Sequence, residues 1–376
     1  MNAELASLVD HEFPLDPHTL YLNHAAVAPW PQRTADAVGH FARENTVTGA
    51  RHYPRWMQTE NRLRQQAAQL IGAHRPEDVA LLKNTSEGLS FIAAGLDWQP
   101  GDEVLTSNEE FPSNRIPWQA LSARDVRLKE VSLQCADPEQ ALIDAIGPRT
   151  RLLTISSVQY GTGLRLDLER LGRACREHNV LFCVDAIQSV GAVPMDVQAC
   201  HADMLVADGH KWMLGPEGLA LFWVNPAIRE QLALTEFGWH MIADAGDYDT
   251  REWAPAADAR RFECGSPNML CAHALSASLS LLLEVGMNTV WEQLQHNVTY
   301  LLAQLEQRPG VEILSPRAPD RRAGIVTFRV DGHDTEALYR QLQAAGVVCA
   351  KRGGGIRLSP HFYTPESVMD QALKAF

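Results

Sequence analysis

Two strand ends in this sequence carry groups that belong to one kind of chemistry. One apolar run leads into Val206-Ala207-Asp208-Gly209-His210-Lys211-Trp212; an earlier one, Val180-Leu181-Phe182-Cys183-Val184, ends on Asp185, with Gln188 three residues on. A lysine and a carboxylate at strand ends suit pyridoxal 5'-phosphate (PLP). The lysine forms a Schiff base with the aldehyde, and the carboxylate keeps the pyridine nitrogen protonated so that the ring accepts electrons from an α-carbon. Two unit charges about 4 Å apart, at an effective dielectric near 20, attract by roughly 4 kcal/mol. That is equivalent to about three pKa units, enough to hold the nitrogen protonated at neutral pH.

The other parts of such a site can be sought in the same way. A phosphate needs an anion cradle, and Asn84-Thr85-Ser86-Glu87-Gly88 sets two hydroxyls between a strand ending at Lys83 and a helix N-terminus. An ordinary helix cap by Thr85 or Ser86 explains the same pattern. His210, beside the lysine, is a second phosphate candidate. Phe111, in Glu110-Phe111-Pro112-Ser113-Asn114, either stacks on the ring or packs into the core. Arg357 stands in the apolar strand Gly355-Ile356-Arg357-Leu358-Ser359, and arginine is seldom buried alone. It either anchors a substrate carboxylate or forms an internal ion pair.

The elements that position these residues follow from periodicity. Strands are expected at Val79-Lys83, Glu103-Ser107, Arg127-Val131, Arg151-Ser156, Val180-Asp185, Met204-Ala207 and Leu219-Val224. Helices are expected at Glu87-Leu96, Ser113-Ala123, Pro138-Ile146 and Leu168-His178. Alternation of this kind gives an α/β fold with a mostly parallel sheet covered on both faces, whose ligands bind beyond the carboxyl ends of the strands. The last two strands lack a helix between them, so one can run antiparallel. Two long helices, Ala272-Val285 and Thr289-Gln307, lead to a smaller α/β pattern: strands Val311-Leu314, Ile325-Val330 and Ile356-Ser359, helix Thr335-Ala345, and a last helix from Pro365. A large domain over 16–285 and a small C-terminal domain over 286–376 are therefore expected, with segment 1–15 packed on the small one.

Composition narrows the function. The chain has 376 residues and a net charge of -13, from 33 basic and 46 acidic residues. No basic run is dense enough to neutralise phosphates of a nucleic acid. No apolar stretch has transmembrane length, and the first residues lack a basic region followed by an apolar one. The seven cysteines are scattered, without a CxxC pair, so neither a disulfide framework nor a zinc knuckle is indicated and a reducing cytoplasm is expected. Asp185, His201, Asp203, Asp208 and His210 crowd one region, but their spacing matches no metal-hydrolase motif, and no metal is expected.

Five motifs occur in an order that resembles the class V aminotransferases, the fold-type I PLP family that includes cysteine desulfurases and selenocysteine lyases. They are Asn84-Thr85-Ser86, Glu110-Phe111-Pro112-Ser113-Asn114, Val184-Asp185-Ala186-Ile187-Gln188-Ser189, Gly209-His210-Lys211-Trp212 with Gly215-Pro216-Glu217-Gly218, and Phe262-Glu263-Cys264-Gly265-Ser266-Pro267-Asn268. The similarity runs from Tyr21-Leu22-Asn23-His24-Ala25-Ala26 to Ser359-Pro360-His361-Phe362-Tyr363. It implies that Lys211 carries the cofactor, Asp185 holds the pyridine nitrogen and Gln188 the ring hydroxyl oxygen. It further implies that Thr85, Ser86 and His210 hold the phosphate, and that Arg357 takes the substrate carboxylate. His24 is a substrate-side candidate. Ser266 matches a residue that reaches the phosphate from the neighbouring subunit, which implies a homodimer with shared sites.

Two departures from that family bear on the reaction. Phe111 stands where desulfurases place a histidine over the ring, and a phenyl group exchanges no proton. The segment Arg352-Gly353-Gly354-Gly355-Ile356-Arg357 leaves no room for the loop that carries the desulfurases' nucleophilic cysteine. Cys349, before that turn, is expected to be a packing residue. The expected activity is that of a PLP enzyme acting at an amino-acid α-carbon by transamination or β-elimination. A desulfurase with a relocated cysteine and an amino-acid epimerase are the alternatives, and a non-catalytic relative is a further one.

Overall fold

The computed structural model describes residues 3–249 and 251–376; Met1 and Asn2 of the N-terminal segment lie outside them. The strands are β1 (Leu20–Tyr21), β2 (Val79–Leu82), β3 (Glu103–Ser107), β4 (Arg127–Val131), β5 (Thr150–Ser156), β6 (Leu181–Asp185), β7 (Met204–Asp208), β8 (Ala220–Val224), β9 (Val311–Ile313), β10 (Val326–Val330), β11 (Val347–Val348), β12 (Ala350–Arg352) and β13 (Gly355–Leu358). Seven of them form one sheet in the order β2-β8-β7-β6-β5-β3-β4. Pairing is parallel from β7 through β6, β5 and β3 to β4, and β8 runs antiparallel to both β7 and β2. The missing helix between the last two strands is thus resolved as an antiparallel pair.

Alternate residues of these strands feed two separate cores, as a pleated sheet buried on both faces requires. Phe182, Val184, Leu205 and Leu221 point into one core; Cys183, Met204, Val206 and Phe222 point into the other. The first core is closed by the helices Tyr53–Ile71, Leu168–Glu177 and Met269–Val285, the second by Thr85–Gly95 and Ile116–Ala120. A third core lies under the small antiparallel sheet β12-β13-β10-β9 and takes in Leu294, Val298 and Leu301 of the helix Met287–Glu306. The two long helices meet at Gly286 with a bend of 82°. Among the described residues no single helix is long and apolar enough to cross a membrane.

The N-terminal helix Ala3–Glu12 and the residue after it touch both the first core and the C-terminal segment. The helix's apolar side, Leu5 and Val9, joins that core, and Glu12 pairs with Arg33 at 2.7 Å. Phe13 then stacks on Tyr363 with ring centroids 3.5 Å apart. Apolar spacing fixed which face is buried, while its partner depended on contacts far apart in sequence.

Candidate active site

Asp185 is the last residue of β6, and Lys211 lies three residues beyond the end of β7, its parallel neighbour. Both therefore emerge at the carboxyl edge of the sheet, where a cavity of about 300 Å³ opens. Seven of the ten expected site residues line it: Thr85, Phe111, Asp185, Gln188, His210, Lys211 and Arg357. A larger cavity of about 450 Å³, bordered by Arg165, Asp196 and Arg321, contains none of them, so chemistry rather than size selects the smaller one.

Burial sets the electrostatics. Desolvation pushes the Asp185 carboxyl well above the ordinary carboxylate range, and the buried Glu110 adds to the rise; the Ile187 N–H at 3.1 Å and Lys211 oppose it. A protonated pyridine nitrogen is the kind of partner that would relieve that burial. Burial likewise pulls the Lys211 amine below the ordinary lysine range, with Arg357 lowering it further and Asp185 raising it. Such an amine gives up its proton readily and can then act as nucleophile or base. Its Nζ lies 5.6 Å from the centre of the Phe111 ring. That ring is 39% exposed and belongs to no core cluster, so it faces the cavity rather than packing inside.

The phosphate cradle is recognised by polar atoms that have nothing to bind. Asn84 caps the helix Thr85–Gly95, its Oδ1 accepting the Glu87 N–H at 2.9 Å, so neither Thr85 nor Ser86 serves as the cap. Thr85 Oγ1, Asp208 Oδ1 and His210 Nδ1 are buried without hydrogen-bond partners. Leaving such groups dry costs about 1–3 kcal/mol each, and an anion with several oxygens at a helix N-terminus fits the two potential donors among them. Asp208 ties the cradle together: Oδ2 accepts the Thr85 N–H at 3.1 Å, and Oδ1 is 3.5 Å from His210 Nδ1. Ser86 is exposed and bonds Ser113 Oγ at 2.9 Å, at the rim. Gln188 donates from Nε2 to the Ala25 carbonyl at 3.0 Å and accepts the Trp212 indole N–H at 2.8 Å. One amide hydrogen of Gln188 is left for a ring hydroxyl oxygen.

Arg357, on β13, is 3% exposed. One nitrogen donates to the Tyr160 carbonyl at 2.9 Å, its Nε is unpartnered, and none of the ion pairs among the described residues involves it. Burial, with Arg352 adding repulsion, pulls its pKa down to about 10. Of the two readings open for this residue, the internal ion pair is absent from the described residues, which leaves a guanidinium that lacks an anion. The turn before it is tight. A Cβ on Gly353, at φ +59°, would lie 2.3 Å from the Gly161 carbonyl oxygen, so the turn presses directly on the Tyr160-Gly161 loop. Cys349 is 4% exposed, belongs to the small-domain core, and has its thiol pushed up to about 11 by burial.

Two expected site residues lie elsewhere. His24 is fully buried, with Nδ1 2.8 Å from the Ser359 carbonyl and Nε2 2.7 Å from the Tyr363 hydroxyl. With both ring nitrogens taken it has no atom for a substrate, and it does not line the cavity. Ser266 is exposed and lines a separate pocket with Lys83 and Gly218. The crowd of residues that raised a metal reading is also divided, because Asp203 bonds the Phe182 N–H at the opposite end of the strands. Among the described residues the one metal-like grouping is Glu60, His240 and Glu263, already bridged by Arg64. Sequence reasoning missed Tyr160, Arg352 and Glu217, which also line the cavity. Glu217 belongs to a motif already singled out; Tyr160 carried no signal.

Comparison with known proteins agrees with this geometry. The family profile described as aminotransferase class-V matches residues 20–364. A probable cysteine desulfurase of Methanothermobacter thermautotrophicus is 27% identical, covering 94% of this chain and 93% of its own. A cysteine desulfurase of Escherichia coli is 29% identical over 83% of this chain and 78% of that protein. Two solved structures of C-DES, each 25% identical, superpose on 97% of this chain. One, with glycine covalently linked to its PLP, has a TM-score of 0.90 and is covered over 98% of its length. The other, described as a cystine C–S lyase with its product cysteine persulfide, has a TM-score of 0.88 and is covered over 99%. The protein belongs to the class V aminotransferase family, and its cofactor is PLP.

Proposed function

We propose that the protein is a PLP-dependent C–S lyase that eliminates sulfur from the β-carbon of an amino acid such as cysteine or cystine, without passing it to a protein thiol. The observation that carries the amino-acid part is Arg357, a buried guanidinium with no carboxylate of its own at a cavity that also holds Lys211 and Asp185. When bound, PLP supplies an electron sink for the pair released at the α-carbon. Arg357 takes the substrate carboxylate in a charge-assisted pair, Asp185 holds the proton on the pyridine nitrogen, and Lys211 removes the α-proton. The resemblance of C-DES, named a cystine C–S lyase, supports elimination over transamination. None of the seven cysteines lines the cavity, which separates this reading from a desulfurase.

The same reading takes the chain to work as a homodimer in the cytoplasm. Ser266 is exposed and remote from its own chain's cavity, which suits a role at the phosphate of a neighbouring subunit. All seven cysteines are unpaired, as a reducing compartment allows. The test is to incubate the holoenzyme with an amino-acid panel including cysteine and cystine, assay pyruvate, sulfide and persulfide, and alkylate and map any protein-bound persulfide. Pyruvate formation unchanged in Cys349→Ser, with no protein persulfide, is expected. A persulfide on Cys349, with sulfide release lost in the variant, identifies a desulfurase with a relocated cysteine. A keto acid retaining the β-substituent identifies transamination, and an inverted enantiomer identifies epimerisation.

A further inference from the structure

Expelling sulfur from the β-carbon is easier when a proton reaches it as the C–S bond breaks. Phe111, where desulfurases carry a histidine, has no proton to give. The remaining acidic groups around the cavity are already committed or badly placed. Asp185 accepts the Ile187 N–H, Asp208 is held between Thr85 and His210, and Glu217 is exposed at the rim. Tyr160 is different. Its ring meets Phe111 edge-on, with centroids 5.2 Å apart and planes at 78°, and both residues line the cavity. Among the described residues its hydroxyl makes no hydrogen bond.

We propose that the Tyr160 phenol is the general acid that protonates the departing sulfur, an assignment that rests on the β-elimination reading. The loop is braced for this task. The Tyr160 carbonyl accepts from Arg357 at 2.9 Å, and the Gly161 carbonyl accepts the Thr327 hydroxyl at 2.7 Å. The residue that anchors the α-carboxylate and the residue that meets the β-substituent are therefore joined through one carbonyl. In the step, Lys211 Nζ takes the α-proton and the Cα–H electron pair forms the second Cα–Cβ bond. The Cβ–S pair leaves on sulfur, while the Tyr160 O–H bond breaks, its proton passing to sulfur and its electron pair staying on oxygen. Cysteine then releases hydrogen sulfide and cystine releases cysteine persulfide, and water or the Lys211 ammonium returns a proton to the phenolate. No oxidant or reductant enters.

The test compares wild-type and Tyr160→Phe holoenzymes on cystine or cysteine and on β-chloroalanine, whose chloride leaves without a proton. The variant should lose about 100-fold or more in kcat on the sulfur substrates, yet stay within about threefold of wild type on β-chloroalanine. KM should change little, because Arg357 is held by a main-chain carbonyl that the substitution leaves in place, and the cofactor absorbance should be unchanged. Equal losses on both substrates would make Tyr160 a packing residue, and undiminished turnover of cystine and cysteine would remove it from the chemistry; either result overturns the proposal. A wild-type enzyme that eliminates neither substrate overturns the β-elimination reading itself, and the role of Tyr160 with it.

Discussion

Arg64 and Arg357 are both buried, and their surroundings could hardly differ more. Arg64 grips Glu263 with two nitrogens at 2.6 and 2.7 Å, reaches Glu60 one turn back on its own helix, and donates to the Val79 carbonyl at 2.7 Å. Burial pulls its pKa down, but Glu263 and Glu60 outweigh burial and hold it above the ordinary arginine range. Arg357 has a single carbonyl, an unpartnered Nε and a pKa pulled down by burial. A buried charge whose partners are internal belongs to the scaffold; one without an internal partner is held ready for a ligand. Histidines divide in the same way. His24 has both nitrogens bound inside the protein, whereas His210 Nδ1 is buried without a hydrogen bond, 3.5 Å from Asp208 Oδ1.

Substitution breaks or sharpens this contrast most strongly at the two arginines. Arg64→Leu leaves Glu60 and Glu263 buried without their cation, and should cost about 3–5 kcal/mol of stability. Arg357→Leu strands no internal anion, so urea unfolding of the holoenzyme should show little loss or a slight gain. Its kcat/KM should fall by about 10- to 150-fold, the worth of a charged hydrogen bond. If both variants were destabilised alike, the distinction between scaffold and ligand-facing arginine would be lost.

A smaller effect concerns pH. Burial lowers the His24 pKa to about 4, against 6.5 for a free imidazole. The neutral form is therefore the folded one. The stability His24 contributes is complete above the unfolded pKa and is lost as pH falls towards the folded one, amounting to about 2 kcal/mol by pH 5. Buried His361, in ring contact with His24, is lowered in the same direction. Wild type should thus lose more stability than His24→Asn between pH 7 and pH 5, as read from urea midpoints. Parallel losses would mean that His24 is not held neutral.

The sequence revealed most where periodicity and local chemistry agree. The bounds expected for β3 and β4, Glu103–Ser107 and Arg127–Val131, match those of the structure. Lys211, Asp185 and Gln188 were visible because strand ends converge at one edge of such a sheet. Neither the helix Gln32–Thr48 nor Tyr53–Ile71 was anticipated, and the reason is physical. The first buries only Thr34, and the buried stripe of the second includes Glu60 and Arg64 among its apolar residues, so neither shows a plain amphipathic pattern. The polar members of that stripe are the scaffold ion pairs themselves. His24 was misplaced because motif position says nothing about which way a ring turns. Tyr160 escaped notice because its place in the site depends on Phe111 and Arg357, distant in sequence.

The measurement that bears most directly on the account is borohydride reduction of the holoenzyme followed by peptide mapping. The cofactor label should fall on Lys211, and Lys211→Ala should lose both the label and the absorbance near 400–430 nm. Lys83, exposed and paired with Glu87 at 2.7 Å, is the nearest rival by motif. A label on Lys83, or one that survives in Lys211→Ala, would contradict the assignment of the cavity.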